Sequence, residues 1–133
     1  MTGFPLKIVT PDGLIYDGQA EYLVVRTTEG DVGILASHIN SVFSLGMGKA
    51  TIISDGQRRT AACIGGMLSV MNGSVTLVPT TFEWSDQIDV DRANASLERA
   101  QSILNSGSAS QTDLKLAEAR LRRALVRKGV ASR

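Results

Sequence analysis

The sequence predicts an α+β fold, with an N-terminal antiparallel β-sandwich, or flattened barrel, over residues 1–84 and a C-terminal antiparallel two-helix hairpin over residues 85–133. Residues 1–84 contain 11 of the 13 glycines and all three prolines, placed between short runs rich in Val, Ile and Thr. This composition is typical of strands joined by tight turns. Residues 85–133 contain two glycines, no proline and repeated Ala, Leu and Arg, which favours helices.

The strands of the first part are predicted from β-branched or alternating runs that end at turn residues. The clearest run covers residues 21–28, and turns are expected at Asp17-Gly18 and at the hairpin dipeptides Asp55-Gly56 and Asn72-Gly73, where a positive φ favours Asn, Asp and Gly. The other predicted strands cover residues 4–11, 14–16, 32–35, 49–54, 58–64, 67–71 and 74–79. Because no helical period separates these runs, an antiparallel sheet is expected.

Two amphipathic helices of about 15 residues are predicted from apolar residues spaced three and four apart. The first begins near Asp89 and its seam is Val90, Ala93, Leu97, Ala100 and Leu104. Ser110 and Asp113 resemble a capping box at the start of the second helix, and Gly129 is expected to end it. The second seam is Leu114, Ala117, Leu121 and Ala124, widened by Leu125. Alanine seams bury little area, at ~0.8 kcal/mol per CH₂, so the hairpin should be marginal alone.

The composition excludes several classes of protein. The single cysteine, Cys63, excludes a disulfide framework and a cysteine-rich metal site, and its apolar neighbours indicate a small core residue rather than a reactive thiol. The first eight residues lack the basic start and apolar stretch of a signal peptide. No run approaches the ~20 apolar residues of a membrane span, so the expected compartment is the cytoplasm.

Charge is unevenly distributed along the chain. Residues 1–84 carry five basic and seven acidic side chains, a net charge of −2, whereas residues 85–133 carry nine and six, a net charge of +3. Residues 114–133, which include Arg133, carry a net charge of +6. This segment is expected to bind an anionic partner. Nucleic acid, an acidic protein surface and a nucleotide phosphate all fit, although the segment has no aromatic residue to stack on bases.

No set of residues predicts catalysis. His38 is the only histidine and has no second histidine or carboxylate pair near it in sequence, so it is interpreted as a surface or interface residue. Gly65-Gly66 lacks the spacing of a phosphate-binding loop and is interpreted as a turn or bulge. Trp84 marks the junction between the two parts and is predicted to pack beneath the hairpin.

The segment from Ile88 to Ala93 allows two interpretations. In the first, Asp89 caps a helix and Asp91 lies in its first turn, which is routine for helix N-termini. In the second, Asp89 and Arg92 bind a base or ribose and a phosphate, and basic residues of the second helix complete an anion site. Composition alone favours the first.

Several motifs, in order, make the chain resemble the epsilon subunit of the F-type ATP synthase over essentially its whole length. No single motif is specific, but their order and spacing together are. They are Leu6–Gly13, Gly30–Leu35, the turn at His38, Gly65–Val70 and Ile88–Ala93.

The resemblance implies a subunit without catalytic activity or a required cofactor or metal. It implies a rotor-binding domain (residues 1–84) that contacts the gamma subunit and the c-ring, and a regulatory hairpin (residues 85–133) that blocks ATP hydrolysis when it extends into the alpha and beta subunits. It implies no nucleic acid partner, and attachment to the cytoplasmic face of the cell membrane only through the complex.

The resemblance also implies roles for individual residues. ATP, as a regulatory ligand, would bind Ile88, Asp89, Arg92 and Ala93, with support from Glu83, Arg122 and Arg123. Contacts with the c-ring and gamma would come from Glu29, Asp31 and His38. Contacts with an acidic loop of the beta subunit would come from Arg122, Arg123, Arg127 and Lys128.

The chain departs from the family pattern at three places. Ser37-His38-Ile39-Asn40 replaces Gly-His-x-Pro, residues 79–84 (PTTFEW) replace an alanine-rich stretch, and Asn94 and Ser96 replace alanines of the first helix. The alternative function is an unrelated β-sandwich adaptor whose basic hairpin binds acidic protein or nucleic acid.

Overall fold

The computed structural model describes residues 2–131 and divides the chain into one compact unit that ends at Trp84 and a second that begins at Ser85. The elements are β1 (Phe4–Thr10), β2 (Gly13–Ala20), β3 (Tyr22–Thr27), β4 (Gly30–Ile34), β5 (Ser41–Ser44), β6 (Met47–Ser54), β7 (Gln57–Met71), β8 (Ser74–Trp84), a 3₁₀ turn (Ser85–Gln87), α1 (Val90–Asn105) and α2 (Gln111–Ala131). The α+β fold predicted from the sequence is therefore confirmed.

The strands of the first unit form one sheet in the order β2-β1-β8-β7-β6-β3-β4, with β5 paired to β7. Its inner face encloses a core built only from residues between Phe4 and Trp84. One pair departs from the antiparallel prediction, because β1 and β8 run parallel, with Leu6 opposite Val75 and Ile8 opposite Leu77. Strand direction between segments this far apart in sequence leaves no local signal.

Strand β7 is longer than the sequence predicts, because the expected strands 58–64 and 67–71 are one strand bent at Gly65-Gly66. Both glycines have positive φ, 68° and 96°, and a Cβ at Gly66 would collide with the carbonyl oxygen of Val78. Before the bend β7 pairs with β6, and after it β7 pairs with β5. The two glycines therefore let one strand join different neighbours at its two ends.

One predicted turn is wrong, and one strand was not predicted. Asp17-Gly18 is not a turn but part of β2, where the ladder to β1 pairs Asp17 with Lys7; the ladder overrides the local turn preference. Strand β5 was not predicted, because its four residues are too few to show a period.

The same turn occurs before β2 and before β4. In the first, the Thr10 hydroxyl accepts a hydrogen bond from the Asp12 amide at 3.2 Å and donates to the Gly13 carbonyl at 3.4 Å. In the second, the Thr27 hydroxyl accepts from the Glu29 amide at 3.1 Å and donates to the Gly30 carbonyl at 2.7 Å. A threonine followed three residues later by glycine thus fixes both hairpins.

The second unit is an α1–α2 hairpin packed mainly through alanine. Its buried helix residues are Ala93, Ala100, Ala117, Ala124 and Val130. Ser110 caps α2 through its hydroxyl, which accepts from the Asp113 amide at 3.1 Å, as predicted. Two expectations are wrong: α2 continues past Gly129 to Ala131, and Leu125 is 51% exposed, so it lies outside the seam.

Candidate functional site

The predicted ligand segment lies where α1 begins. Asp89 is the N-cap of α1, and its Oδ1 accepts a hydrogen bond from the Arg92 amide at 3.0 Å. Ile88 and Ala93 are buried, whereas the side chain of Arg92 is exposed. The cap uses one carboxylate oxygen, which leaves the other oxygen of Asp89 for a ligand, and the Arg92 guanidinium and the Asp91 carboxylate are also exposed in this segment.

A groove between α1 and α2 brings together four of the nine basic residues of the second unit. Its volume is about 400 Å³, and its lining residues are Ser96, Arg99, Ala100, Ile103, Arg120, Arg123 and Arg127. Arg120, Arg123 and Arg127 follow one another at steps of three and four along α2, which places them on one face of that helix. The Arg123 Nε donates to the Ala119 carbonyl at 3.3 Å, one turn earlier, which orients this guanidinium.

The lining of the groove indicates an anion-binding site. It contains four guanidinium groups and one serine hydroxyl, but no carboxylate. Planar guanidinium groups bind phosphate and carboxylate through paired hydrogen bonds. A polyanion such as a nucleoside triphosphate therefore fits both the charge and the chemistry of the groove.

The sequence identified only part of this groove. Arg123 and Arg127 line it, but Arg122 and Lys128 are exposed and do not. Arg99 and Arg120 were missed, although the three-four spacing on α2 and an antiparallel α1 together point to them. Glu83, the other predicted ligand residue, lies in β8 of the first unit, opposite Ala62 in β7.

The predicted rotor-contact residues of the first unit do not form one cluster. Glu29 lies in the turn before β4, Asp31 lies in β4, and His38 lies in the loop after it. Five residues of β4 separate the two loops, roughly 16 Å of extended chain. Glu29 and His38 therefore lie beyond opposite ends of β4.

Each of these residues has its own local contacts. Asp31 pairs with Arg26, its cross-strand partner, through an ion pair of 2.9 Å between Oδ1 and Nε, with both side chains at least half exposed. The ring of His38 lies edge-on to Phe43 at 6.3 Å between centroids, and its Nδ1 is 2.8 Å from the Ile39 carbonyl oxygen. The exposed ion pair is worth ~0.2–1 kcal/mol, so Asp31 is able to exchange partners.

An apolar surface that the sequence did not predict lies on the outer face of β5, β7 and β8. Met67 is directly opposite Val78 in β8, and Val42 in β5 is opposite Ser69 in β7. Val42, Met67, Met71 and Val78 are 60%, 51%, 53% and 44% exposed. Adjacent exposed apolar side chains of this kind mark protein contact sites.

Two further results bound the chemistry of the chain. Between residues 2 and 131, no group of three or more His, Cys, Asp or Glu side chains is placed to hold a metal ion. No helix in the same range is long and apolar enough to cross a membrane.

Two family models match the chain. The ATP synthase Delta/Epsilon chain beta-sandwich domain matches residues 3–85, and the ATP synthase Delta/Epsilon chain long alpha-helix domain matches residues 86–131. The change between them falls next to the boundary between the two compact units.

Curated proteins and solved structures resemble the chain over nearly all of it. The ATP synthase epsilon chain of Ruminococcus albus is 41% identical over 100% of this chain and 99% of that protein. That of Bacillus velezensis is 42% identical over 95% of each. A chain in the cryo-EM structure of the Euglena gracilis mitochondrial ATP synthase has a TM-score of 0.85 at 21% identity and covers 97% of this chain and 81% of its own. This last likeness concerns the fold.

Proposed function

Because the chain belongs to the ATP synthase delta/epsilon family, as an epsilon-type, non-catalytic subunit, we propose that it works in the rotor and restrains ATP hydrolysis through its helical hairpin. The sandwich would join the gamma subunit to the c-ring, and the hairpin would move. The observation that carries the proposal is the arginine-lined groove inside an alanine-packed hairpin. A weakly held element with an anion site is suited to a ligand-controlled two-state equilibrium.

The separation of Glu29 from His38 supports two different rotor contacts. The exposed apolar surface of Val42, Met67 and Val78 lies on β5, β7 and β8, and β5 follows the His38 loop, so we assign this side of the sandwich to gamma. Glu29 and Asp31 are exposed and acidic and lie around the start of β4. We propose that they contact a polar loop of the c-ring.

ATP is the proposed regulatory ligand of the hairpin. Asp89 would accept a hydrogen bond from the adenine or ribose, and Arg92 and the groove arginines would bind the phosphates. A ligand that binds only the compact hairpin stabilises it by RT ln(1 + [L]/Kd), about 2.7 kcal/mol at a hundredfold excess over Kd. This energy is enough to reverse a marginal equilibrium.

The extended hairpin would inhibit through the same basic residues. Arg122, Arg123, Arg127 and Lys128 would face an acidic loop of the beta subunit, and each exposed pair contributes ~0.2–1 kcal/mol. Arg123 and Arg127 also line the groove. Bound ATP would therefore compete with the inhibitory contact for the same guanidinium groups.

Removal of the hairpin from the assembled complex tests the inhibitory role. ATP hydrolysis should rise when residues 86–133 are deleted, while rotor assembly and proton coupling remain intact. Alanine in place of the four basic residues should relieve inhibition in part, as raised salt should. A truncated complex that hydrolyses ATP no faster than the full-length complex, under conditions that favour the extended hairpin, would contradict this role.

Titration of the isolated subunit with ATP tests the ligand. We expect one site, weakened about tenfold or more by Arg123→Ala or Arg99→Ala, because a hydrogen bond to a charged group is worth ~1.5–3 kcal/mol. Arg122→Ala is the matched control, since Arg122 is the neighbour of Arg123 but does not line the groove. Equal losses in Arg122→Ala and Arg123→Ala, or no heat at millimolar ATP, would contradict the assignment.

A further inference from the structure

Trp84, the single tryptophan of the chain, closes one end of the sandwich core. It is the last residue of β8, is 7% exposed and lies opposite Ala61 in β7. Its ring meets Phe82 edge-on at 5.0 Å and Tyr16 edge-on at 6.5 Å between centroids. Edge-to-face aromatic pairs of this kind add stability beyond the area they bury.

Arg59 covers one face of the Trp84 ring. The guanidinium carbon of Arg59 lies 3.6 Å from the centroid of the Trp84 ring, a close cation–π contact. Arg59 is exposed and lies in β7 opposite Ile52 in β6. The arginine thus joins the end of β8 to a strand that is already fixed within the sheet.

The chain changes unit immediately after this residue. The 3₁₀ turn Ser85–Gln87 packs against α2 in the second unit, and Asp89 then caps α1. Trp84 is therefore the last residue of the first unit, and residues 85–89 connect it to α1.

We propose that Arg59 acts as a positioning residue, which with Phe82 and Tyr16 clamps Trp84 and places the pivot of the hairpin where the chain leaves the first unit, between Trp84 and the 3₁₀ turn. The mobility of the hairpin rests on the proposed function. The clamp itself does not, because all four residues belong to the first unit. If the clamp opened, Glu83 and Trp84 would join the tether and lengthen it by about 7 Å, at ~3.3 Å per residue.

A longer tether would change the regulatory equilibrium. Lengthening the connection lowers the effective concentration of the hairpin at any site that it occupies in its folded state. Loss of the clamp should therefore favour the extended hairpin. Inhibition in the assembled complex should deepen, although Arg59 is outside the hairpin.

Hydrogen exchange of the full-length subunit, read at single residues, tests the clamp. Arg59→Ala should raise the exchange rates of the amides at 82–84 about two- to fivefold, the scale of an exposed cation–π contact. Its tryptophan emission should shift to the red. Arg59→Lys, which keeps a cation, should restore part of the protection. Arg58→Ala is the matched control, because Arg58 is the neighbouring exposed arginine, opposite Ile53, and successive side chains of a strand point to opposite faces of the sheet. It should change neither reading.

Two further readings separate the clamp from general stability and from the proposed function. Val70→Ala weakens the core near the far end of β7 and should leave inhibition at the wild-type level, whereas Arg59→Ala should deepen it. In the wild-type subunit, ATP should change exchange at residues 85–88 but not at 82–84. Equal exchange in Arg59→Ala and Arg58→Ala, or an ATP response at 82–84 as large as at 85–88, would overturn the clamp. Failure of ATP or of the deletion to alter activity would overturn only the proposed function.

Discussion

The sandwich and the helical hairpin are packed with different residues. The sandwich buries large side chains completely, among them Leu6, Ile8, Leu23, Leu68 and Leu77, each at 1% exposure or less. The helices of the hairpin bury four alanines and Val130. A fully buried leucine contributes ~1.5–3 kcal/mol, against about 0.8 kcal/mol for the single methyl of alanine. One unit is therefore built to keep its shape, and the other is only weakly held.

The most severe test of this comparison separates the two units. We expect residues 1–84 alone to unfold cooperatively on heating, since the core cluster lies within that unit. We expect residues 85–133 alone to be largely unfolded, because most helical stability in proteins comes from packing and the buried helix residues of the hairpin are mainly alanines. Circular dichroism of the two fragments measures both. A cooperative thermal transition of the isolated hairpin would break the comparison.

Single substitutions should lower the free energy of unfolding more in the sandwich than in the hairpin. Leu77→Ala in the sandwich should lower the free energy of unfolding by ~2–5 kcal/mol. Ala124→Gly in the hairpin should cost only about 1 kcal/mol, and the sandwich should remain folded. Met71→Ala is the control, because Met71 is 53% exposed. Denaturant unfolding of each variant gives the values, and similar losses in the two units would contradict the distinction.

The sequence predicted what depends on local patterns. Asp89 and Ser110 were correct as helix caps because their side chains bind amides three residues ahead. The parallel pairing of β1 with β8 and the union of two predicted strands into β7 were not predicted. Both depend on contacts between distant segments, and a glycine pair with positive φ is equally compatible with a turn, a bulge or a bend.

The candidate groove was predicted only in part, for a geometric reason. Adjacent residues of a helix point about 100° apart, so Arg122 and Arg123 cannot both face the same groove. Only the rotation of α2 against α1 decides which of them does. Arg99 was not predicted because it lies outside the basic segment of residues 114–133. The antiparallel packing of the helices brings it to the groove of Arg120, Arg123 and Arg127.

Cys63 offers a way to follow the sandwich alone. Burial raises the pKa of its thiol from 9.0 to about 12, so between these values the unfolded chain loses a proton that the folded chain keeps. The free energy of unfolding should therefore fall as pH rises from 9 towards 12, by at most ~1.4 kcal/mol per pH unit. Below pH 9 this contribution is constant.

Comparison with Cys63→Ala isolates that effect. Every other side chain is the same in both proteins, so only the difference in slope belongs to the thiol. Denaturant midpoints at pH 8, 9 and 10 measure it. Parallel pH profiles for the two proteins would show that Cys63 is accessible to water in the native state.

The smallest expected effect concerns Asp89, where structure and ligand binding share one carboxylate. Asp89→Ala should destabilise the hairpin by about 1 kcal/mol through loss of the N-cap, whereas Asn caps helices as well as Asp does. Asp89→Asn should therefore preserve the helix and separate the two roles.

If the carboxylate of Asp89 accepts a hydrogen bond from ATP, the Asp89→Asn variant should bind ATP roughly fivefold more weakly, the scale of one hydrogen bond of about 1 kcal/mol. Helicity from circular dichroism and affinity from calorimetry give the two readings independently. Unchanged ATP affinity in Asp89→Asn, together with weakened affinity in Asp89→Ala, would mean that ATP does not need the carboxylate of Asp89, because the Asn variant keeps the cap and loses the charge, whereas the Ala variant loses both.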